Sequence, residues 1–448
     1  MLNHSMRSDG FVAAIVVGAV FATACGSLPG RATQASRTAS STGLVSPSSS
    51  PASSTRLVSP SSSPASSARL SSPSATACVP SADTRALTGP VAAYYWTSPG
   101  STCITVTLID SAGQVSTATT TTISQYFARF VCQDGNQSQP SPESGLTPGP
   151  AYSVSKNRIY WWDGRLIHWL GRDGSQGSEV LDVGAQTGLE FAASPDDVRM
   201  VITTVDFARW PLHRVTWVED VGTHANRTVL FDADLSTDLT QLNGQGSAGW
   251  PWGWHEGRPV LYDHALCVLL GGDQFIALSY PRVVDPATGN RLVAFPKCYG
   301  GRITSGGAFC TTSFTAHSLD WYDWTGKQIQ SYPLPFDTQS CDADLNPSGT
   351  RVLAFCQNNI YTDPAADNST KEFLFGTGPA LPSQIVQTEF LRWLDDDLVL
   401  ESRTLSDPSG YRTSVTIWSL TRQSMVAGPV TIPGWYNGTG PPPTRLLA

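Results

Sequence analysis

Three tryptophans stand at alternate positions in the segment WPWGW, at Trp250, Trp252 and Trp254. Alternate side chains of a β-strand point to one face, so a strand here would present three indoles side by side. Such a row is suited to stacking against sugars or peptides, and equally to packing inside a core. We treat the three tryptophans as candidate ligand-binding residues, with core packing as the alternative. Pro251 and Gly253 weaken the strand and would instead place the cluster on a loop.

One group of polar residues has the spacing of a calcium-binding loop. It reads D-x-D-x-N at Asp342, Asp344 and Asn346. Its glycine, Gly349, stands later than an EF-hand requires, and no glutamate closes the loop. These three residues are therefore weak calcium candidates, and we expect neither a metal nor another cofactor.

Motifs of common enzyme classes fail on spacing or context. Residues 244–249 (GQGSAG) match the letters of the phosphate-binding G-x-G-x-x-G, but Trp-Pro-Trp follows where that motif needs a helix. Gln245 stands where a nucleophile elbow at Ser247 needs glycine, and His255 has no second histidine four residues later. No catalytic residue is assigned. An extracellular hydrolase of glycans or lactones, using carboxylates that meet in a channel, stays open as the alternative.

The charge balance argues against one class of partner. The chain of 448 residues carries a formal net charge of −8, although residues 26–77 contain four arginines and no acid. The remainder is therefore strongly acidic and repels phosphate backbones, so nucleic acid is not an expected partner.

The N-terminal residues 1–24 have the features of a secretory signal peptide. Residues 11–22 form an apolar run that is too short for a bilayer, which needs ~20 residues. A short polar segment with Arg7 precedes the run, and small residues close it.

The segment ATACG, residues 22–26, resembles the lipobox of bacterial lipoproteins, although that family usually has leucine where Ala22 stands. The resemblance implies that Cys25 is the first mature residue and carries a lipid. The protein would then be anchored to the bacterial cell membrane on its extracytoplasmic side. Residues 22–24 also fit an A-x-A site, so free secretion or an uncleaved anchor remains possible.

A low-complexity segment follows. Residues 27–77 are almost entirely Ser, Ala, Thr and Pro, and LVSPSSSPASS begins at Leu44 and again at Leu57. This composition cannot form a core, which predicts a disordered linker over residues 25–84 with a coil span on the order of 40 Å.

The cysteine count agrees with lipidation and an oxidising compartment. Nine cysteines is an odd number, and removal of Cys25 leaves eight, enough for four bridges. Cys341 and Cys356 flank one hairpin and fall nearly opposite each other. The expected bridges are Cys341–Cys356, Cys298–Cys310 and Cys103–Cys132, with free buried thiols as the alternative.

Residues 85–448 read as short apolar strands separated by turn residues. One unit, strand–turn–strand, occurs as FAASPDDVRMVIT from Phe191 and DLNPSGTRVLAF from Asp344. A second unit turns through glycine, as in LIDSAGQV from Leu108. Ala-x-Cys triplets recur at spacings of 43 and 46 residues, the period of propeller blades. We predict an all-β fold, a single β-propeller of seven four-stranded blades, with six or eight blades or a pair of β-sandwiches as alternatives.

These hairpins resemble those of TolB-type and WD-repeat-like bacterial propellers. The resemblance implies binding of a protein, peptide or glycan at one end of a central channel. We therefore expect a monomeric binding or scaffold module whose partner is an envelope protein, peptide or glycan.

Overall fold

The structure is a computed structural model. The residues that it describes are 78–97, 103–121, 152–181, 183, 187–206, 213–234, 249–263, 279–295, 298, 300–304, 306–311, 317–334, 341–357, 370–385, 390–407, 410–434 and 444–447. The predicted signal peptide, Cys25 and the repeats up to residue 77 lie outside them. Contacts divide the chain into Met1–Ala75 and Thr76–Ala448, and the second unit is described below. Among the described residues, no helix is long and apolar enough to cross a membrane.

Twenty-eight strands in the described part form seven antiparallel sheets, numbered here as blades 1 to 7. Blade 1 contains β1 (Ser81–Asp83), β2 (Val91–Thr97), β3 (Cys103–Asp110), β4 (Val115–Thr121) and β28 (Thr444–Arg445). Blade 2 contains β5 (Tyr152–Val154), β6 (Arg158–Trp162), β7 (Leu166–Gly171) and β8 (Gln176–Val180). Blade 3 contains β9 (Thr187–Ala193), β10 (Arg199–Asp206), β11 (His213–Asp220) and β12 (Thr228–Asp234).

The later blades follow the same plan. Blade 4 contains β13 (Trp250–His255), β14 (Arg258–Asp263), β15 (Ser279–Val284) and β16 (Arg291–Ala294). Blade 5 contains β17 (Gly300–Thr304), β18 (Gly307–Thr311), β19 (Ser318–Tyr322) and β20 (Gln328–Pro333). Blade 6 has three described strands, β21 (Cys341–Leu345), β22 (Val352–Gln357) and β23 (Thr370–Phe375). Blade 7 contains β24 (Phe390–Trp393), β25 (Leu398–Asp407), β26 (Gly410–Ser419) and β27 (Ser424–Pro433).

Strands pair in chain order within blades 2 to 7. Innermost strands of neighbouring blades contact one another, as β9 does with β5 and β13. The two repeated units of the sequence are the two hairpins of each blade. The unit at Phe191 is the hairpin of β9 and β10, the first two strands of blade 3. The unit at Leu108 is the hairpin of β3 and β4, the last two full strands of blade 1. Because consecutive strands of a blade run in opposite directions, the turn between its first two strands and the turn between its last two strands lie at the same end. These turns define one side of the ring, which we call the turn face.

Seven clusters of buried apolar side chains, counted over the described residues, lie one at each boundary between neighbouring blades. At the boundary of blades 5 and 6, for example, Phe309 packs with Leu345 and Val352. Each blade therefore buries both faces, which explains strands that are buried along nearly their whole length, such as β3. Two packed sandwiches would bury one face of each sheet. The clusters confirm the prediction of an all-β, seven-bladed propeller.

The C-terminal strand closes the ring. β28 pairs with β2, so the end of the chain supplies the innermost strand of blade 1. The backbone N–H of Leu446 donates to the carbonyl of Val91 at 2.9 Å. The guanidinium of Arg445 donates to the carbonyls of Leu345 and Trp393, at 3.5 and 3.4 Å, and so joins blade 1 to blades 6 and 7.

Strand β1 lies within residues 25–84, the range predicted to be linker. Ser81 pairs with Thr119, so β1 forms the outer edge of blade 1. A disulfide joins Cys78 to Cys103. The expected Cys103–Cys132 bridge is therefore wrong, because a cysteine assigned to the linker occupies the partner position. Cys132 lies outside the described residues.

The other two expected bridges have different outcomes. Cys298 and Cys310 form a disulfide, which ties the segment after β16 to β18 across the boundary of blades 4 and 5. Cys341 and Cys356 are direct Cα partners in the ladder of β21 and β22. Their side chains are not among those described, so that bridge stays a prediction.

Candidate functional site

The WPWGW strand does not present three indoles to one face. Its pairing with β14 shifts between Pro251 and Gly253, which makes Trp252 the extra residue of a β-bulge. Trp252 packs into the cluster shared with blade 5, whereas Trp254 packs into the cluster shared with blade 3. The bulge therefore splits the row between two opposite faces of blade 4.

The three tryptophans are structural at these positions. Trp250 and Trp254 are 3% and 6% exposed, too little to offer an indole face to a ligand. The indole N–H of Trp254 donates to the carbonyl of Ala192 at 2.8 Å, which satisfies its polar atom inside the core. Trp252 lies edge-on to Tyr262 with ring centroids 6.1 Å apart. The stacking-platform hypothesis is corrected to the core-packing alternative.

Two of the three calcium candidates, Asp344 and Asn346, are engaged in contacts with the protein itself. The backbone N–H of Trp393 donates to Asp344 Oδ2 at 2.8 Å, which links blades 6 and 7. Asn346 uses its amide to donate to Asp396 Oδ1 at 2.8 Å, and its carbonyl accepts from the N–H of Arg351 at 2.8 Å. No group of three or more His, Cys, Asp or Glu residues suited to a metal occurs in the described part of the chain. The side chain of Asp342 lies outside that part.

Many described aspartates close hairpin turns on the turn face. Asp110 Oδ1 accepts the N–H groups of Ala112 and Gln114, each at 2.9 Å. Asp323 Oδ1 accepts the N–H groups of Thr325 and Lys327 in the same way in blade 5. These carboxylates accept hydrogen bonds from backbone N–H groups of the turn, as in Asx-turns. Such aspartates have a structural role, whereas the hydrolase alternative would use carboxylates for catalysis.

A cavity of about 190 Å³ opens on the turn face between blades 2 and 3. We call it the turn-face pocket. It is lined by two residues of the β5–β6 turn region, two of the β7–β8 turn and one of the β9–β10 turn: Asn157, Arg158, Arg172, Asp173 and Asp197. Three separate hairpins thus bring two guanidiniums and two carboxylates around one small volume.

Arg158 is held by an aromatic contact. Its guanidinium carbon lies 4.1 Å from the ring centroid of Trp169, the geometry of a cation–π pair. Gly177 is the Cα partner of Trp169 on β8, and a Cβ added there would come within 2.5 Å of the indole. The indole of Trp169 therefore packs on the backbone of Gly177 in β8, and its ring contacts the guanidinium of Arg158 in β6.

Asp197 is fixed in the β9–β10 turn, with a positive φ of 62°. Its two carboxylate oxygens accept the hydroxyl of Tyr160 at 2.8 Å and the amide N–H of Asn157 at 3.1 Å. Burial, with Asp197 close by, raises the pKa of Tyr160 well above its ordinary range despite the lowering contact from Arg158. Tyr160 is therefore a fixed donor, and Asp197 is an oriented acceptor.

Asp173 stands exposed on the opposite wall of the turn-face pocket. Hydrogen bonds from the hydroxyl and the backbone N–H of Ser175 hold its pKa below the ordinary value. Both bonds go to Oδ1. Asp173 is therefore ionised at neutral pH, with Oδ2 facing no donor among the described residues.

A second cavity, about 340 Å³ in volume, lies between blades 1 and 2. Its lining includes polar side chains of β4, β7 and β8, namely Thr120, His168, Gln176 and Ser178. His168 Nε2 lies 2.7 Å from Asp163 Oδ2 and its ring stacks on Trp161. Burial raises the pKa of Asp163, but hydrogen bonds from His168 and from the N–H groups of Leu166 and Arg165 outweigh it and lower that pKa.

The turn-face pocket residues were not singled out by sequence reasoning. Asn157, Asp173 and Asp197 belong to turns that meet only when two blades pack together. One feature of the sequence indicated a site here. Lys156 and Arg158 near the β5–β6 turn and Arg172 in the β7–β8 turn form a local group of cations in an otherwise acidic chain.

Comparisons with known proteins concern the fold. No family model matches the chain. No curated protein matches it. Among solved structures, TolB from Acinetobacter baumannii is similar at 12% identity and a TM-score of 0.34, over 75% of this chain and 62% of that one. Hydrazine synthase from Kuenenia stuttgartiensis is similar at 15% identity and a TM-score of 0.35, over 64% of this chain and 80% of that one.

Prolyl oligopeptidase B from Galerina marginata is a third similar structure, at 9% identity and a TM-score of 0.33. The likeness covers 74% of this chain and 47% of that one, so this chain spans about half the length of the peptidase. It spans about three fifths of the TolB chain.

Proposed function

We propose that this protein is a binding or scaffold module of the bacterial cell envelope, a monomer that recognises an extracytoplasmic protein, peptide or glycan. A lipid on Cys25 and the Ser/Pro-rich linker hold it to the membrane, and the propeller meets its partner through the turn face. The lipobox resemblance, the linker composition and the disulfides of the propeller support this location.

The turn-face pocket carries the proposal. Its charged side chains project from three hairpins on a packed framework, which holds them in fixed positions before any ligand arrives. Asn157 and Asp173 are exposed, whereas Arg158, Arg172 and Asp197 are half-buried, so the pocket is open at the top and defined at its walls. Binding sites are usually preformed and concave, and convergent polar groups within them fix the orientation of the ligand.

A sedimentation assay tests the proposal. Every sample carries Cys25→Ser, so that a lipid cannot by itself anchor the chain to membranes, and the full chain with this single change is called the wild type in this assay. It is mixed with envelope particles of the producing cell and centrifuged. We expect the wild type in the pellet and the double variant Arg158→Gln, Arg172→Gln in the supernatant. The matched control is Arg165→Gln, because Arg165 is exposed in the same blade and is not part of the pocket lining.

The outcomes separate the possibilities. Retention of the wild type and the Arg165 variant, with loss of the double variant, supports a binding module that uses this pocket. A wild type that stays in the supernatant, or a double variant that pellets as well as the wild type, overturns the proposal.

A further inference from the structure

We propose that the turn-face pocket binds an acidic saccharide, with the carboxylate of a uronate held between Arg158 and Arg172. The inference rests on the proposed function and names the ligand class at the same site.

The two arginines of the pocket supply most of its N–H groups that are available to a ligand. Among the described residues, Arg158 donates from one nitrogen to the hydroxyl of Tyr160, at 3.4 Å, and Arg172 donates from one nitrogen to the carbonyl of Gly89. A guanidinium carries five N–H groups, so most of them remain for a ligand. A planar carboxylate matches this fork in a bidentate manner.

The carboxylates of the pocket do not neutralise these cations by direct contact. Asp197 is bonded to Tyr160 and Asn157, and Asp173 is bonded to Ser175. No ion pair between these aspartates and the two arginines occurs among the described residues. The pocket therefore keeps two cations available in a chain whose net charge is −8.

Besides the guanidiniums, the pocket has free acceptors, which call for several ligand donors beside the carboxylate. Asp173 Oδ2 and the side-chain carbonyl of Asn157 accept no hydrogen bond from the described residues. A sugar ring offers hydroxyls at successive carbons, whereas the last residue of a peptide offers one amide N–H beside its carboxylate. The number and the spread of the acceptors favour the saccharide.

The size of the pocket agrees with a single sugar unit. At about 190 Å³ it is smaller than the 300–1,000 Å³ typical of drug-sized ligand sites. It therefore suits one terminal or branching residue of a glycan. The neighbouring cavity between blades 1 and 2 adds uncharged polar groups, Ser178 and Gln176, at which further sugar hydroxyls find partners.

Calorimetric titration of the full chain tests the inference, with sodium D-glucuronate as the probe and D-glucose as the uncharged analogue. We expect glucuronate to bind and glucose to bind at least tenfold more weakly, because glucose lacks the carboxylate that makes charge-assisted hydrogen bonds to the two guanidiniums. Arg172→Gln is expected to weaken glucuronate at least tenfold. Arg172→Lys keeps the charge without the planar fork and is expected to fall between the two.

Arg165→Gln is the control and should bind like the wild type, with near-UV circular dichroism verifying that each variant is folded. Equal affinity for glucose and glucuronate, or equal losses in the Arg165 and Arg172 variants, would overturn the inference. Binding of a peptide with a free C-terminal carboxylate but not of glucuronate would also overturn it. If the chain still pellets with envelope particles in that case, the binding module survives and only the saccharide is rejected.

Discussion

The backbone N–H of Leu446 donates to the carbonyl of Val91 at 2.9 Å, which joins the last strand of the propeller to the start of β2. Blade 1 is therefore assembled from both ends of the propeller sequence, and the ring is closed by hydrogen bonds rather than by a covalent link. The Leu446 side chain, 4% exposed, packs in the cluster between blades 1 and 2.

Leu446→Ala is expected to lower the free energy of unfolding by about 2–5 kcal/mol, as for other buried leucines, because it removes packing at the closing strand. Urea unfolding followed by intrinsic fluorescence measures it. Leu447→Ala is the matched control, since Leu447 is 36% exposed and uses only its backbone N–H, which donates to Ser155. Equal stabilities of the two variants would contradict a closing role for Leu446.

The fold was largely predictable, because its signals are local. Turn residues such as Pro195 and Asp196 punctuate hairpins that every blade repeats, and both sequence units map onto the two hairpins of a blade. The prediction of a propeller followed from the Ala-x-Cys triplets, whose spacings of 43 and 46 residues match a blade. The prediction of three tryptophans on one strand face failed, because a β-bulge breaks the alternation of side chains on which it relied. The bulge between Pro251 and Gly253 redirects a tryptophan, and nothing in the apolar pattern marks it.

The site was not predictable for a different reason. Asn157, Asp173 and Asp197 are separated in sequence and read individually as turn residues. Their meeting depends on how blade 3 docks on blade 2. The partner of Cys103 was missed likewise, because Cys78 stands at the end of a Ser/Pro-rich segment whose composition predicts disorder, yet it is bridged to a central strand of blade 1.

Cys341 and Cys356 are expected to form a disulfide. They are direct partners at one end of the ladder of β21 and β22, and paired positions on antiparallel strands bring Cα atoms within the 4.4–6.8 Å range that disulfides need. Peptide mapping without reduction should recover them in one linked fragment, with Cys298–Cys310 as the internal reference. Detection of both residues as alkylated free thiols would reject this bridge.

Gly177→Ala is expected to destabilise the protein by about 1–3 kcal/mol, typical of an overpacked site, because the new Cβ would lie within 2.5 Å of the indole of Trp169. The displaced indole would also lose its contact with Arg158, so glucuronate or envelope binding should weaken in parallel. A double-mutant cycle measures the coupling. In a Trp169→Ala background, Gly177→Ala should have little further effect, and an undiminished loss there would contradict the steric explanation.

The Glu179 carboxyl at the boundary of blades 2 and 3 predicts a pH dependence of stability. Burial raises its pKa, and the like charge of Glu219 adds to this, whereas His224, the N–H of Gly222 and Arg158 act in the opposite direction. Its Oε1 is buried without a hydrogen-bond partner among the described residues. A group whose pKa is higher in the folded state stabilises the fold when protonated, and that contribution is lost as pH rises through the folded-state pKa.

Glu179→Gln is therefore expected to match the wild type near pH 4 and to exceed it in stability near pH 8, where the wild type must bury a charge. Urea midpoints measured across this range provide the comparison. Glu256→Gln is the control, because that side chain is 74% exposed and should show no such divergence. A constant difference between Glu179→Gln and the wild type at all pH values would refute the titration of Glu179 as the cause.

Cys25 is expected to carry a lipid, which would explain the odd cysteine count and the position of the linker directly behind the apolar run. Labelling of growing cells with a palmitate analogue should mark the wild type, and Cys25→Ser should abolish the label and release the protein from the membrane fraction. Cys267→Ser, at a cysteine far from the leader, should remain labelled. A membrane-free, unlabelled wild type would assign cleavage at residues 22–24 to ordinary signal peptidase, and the protein would then be secreted rather than anchored.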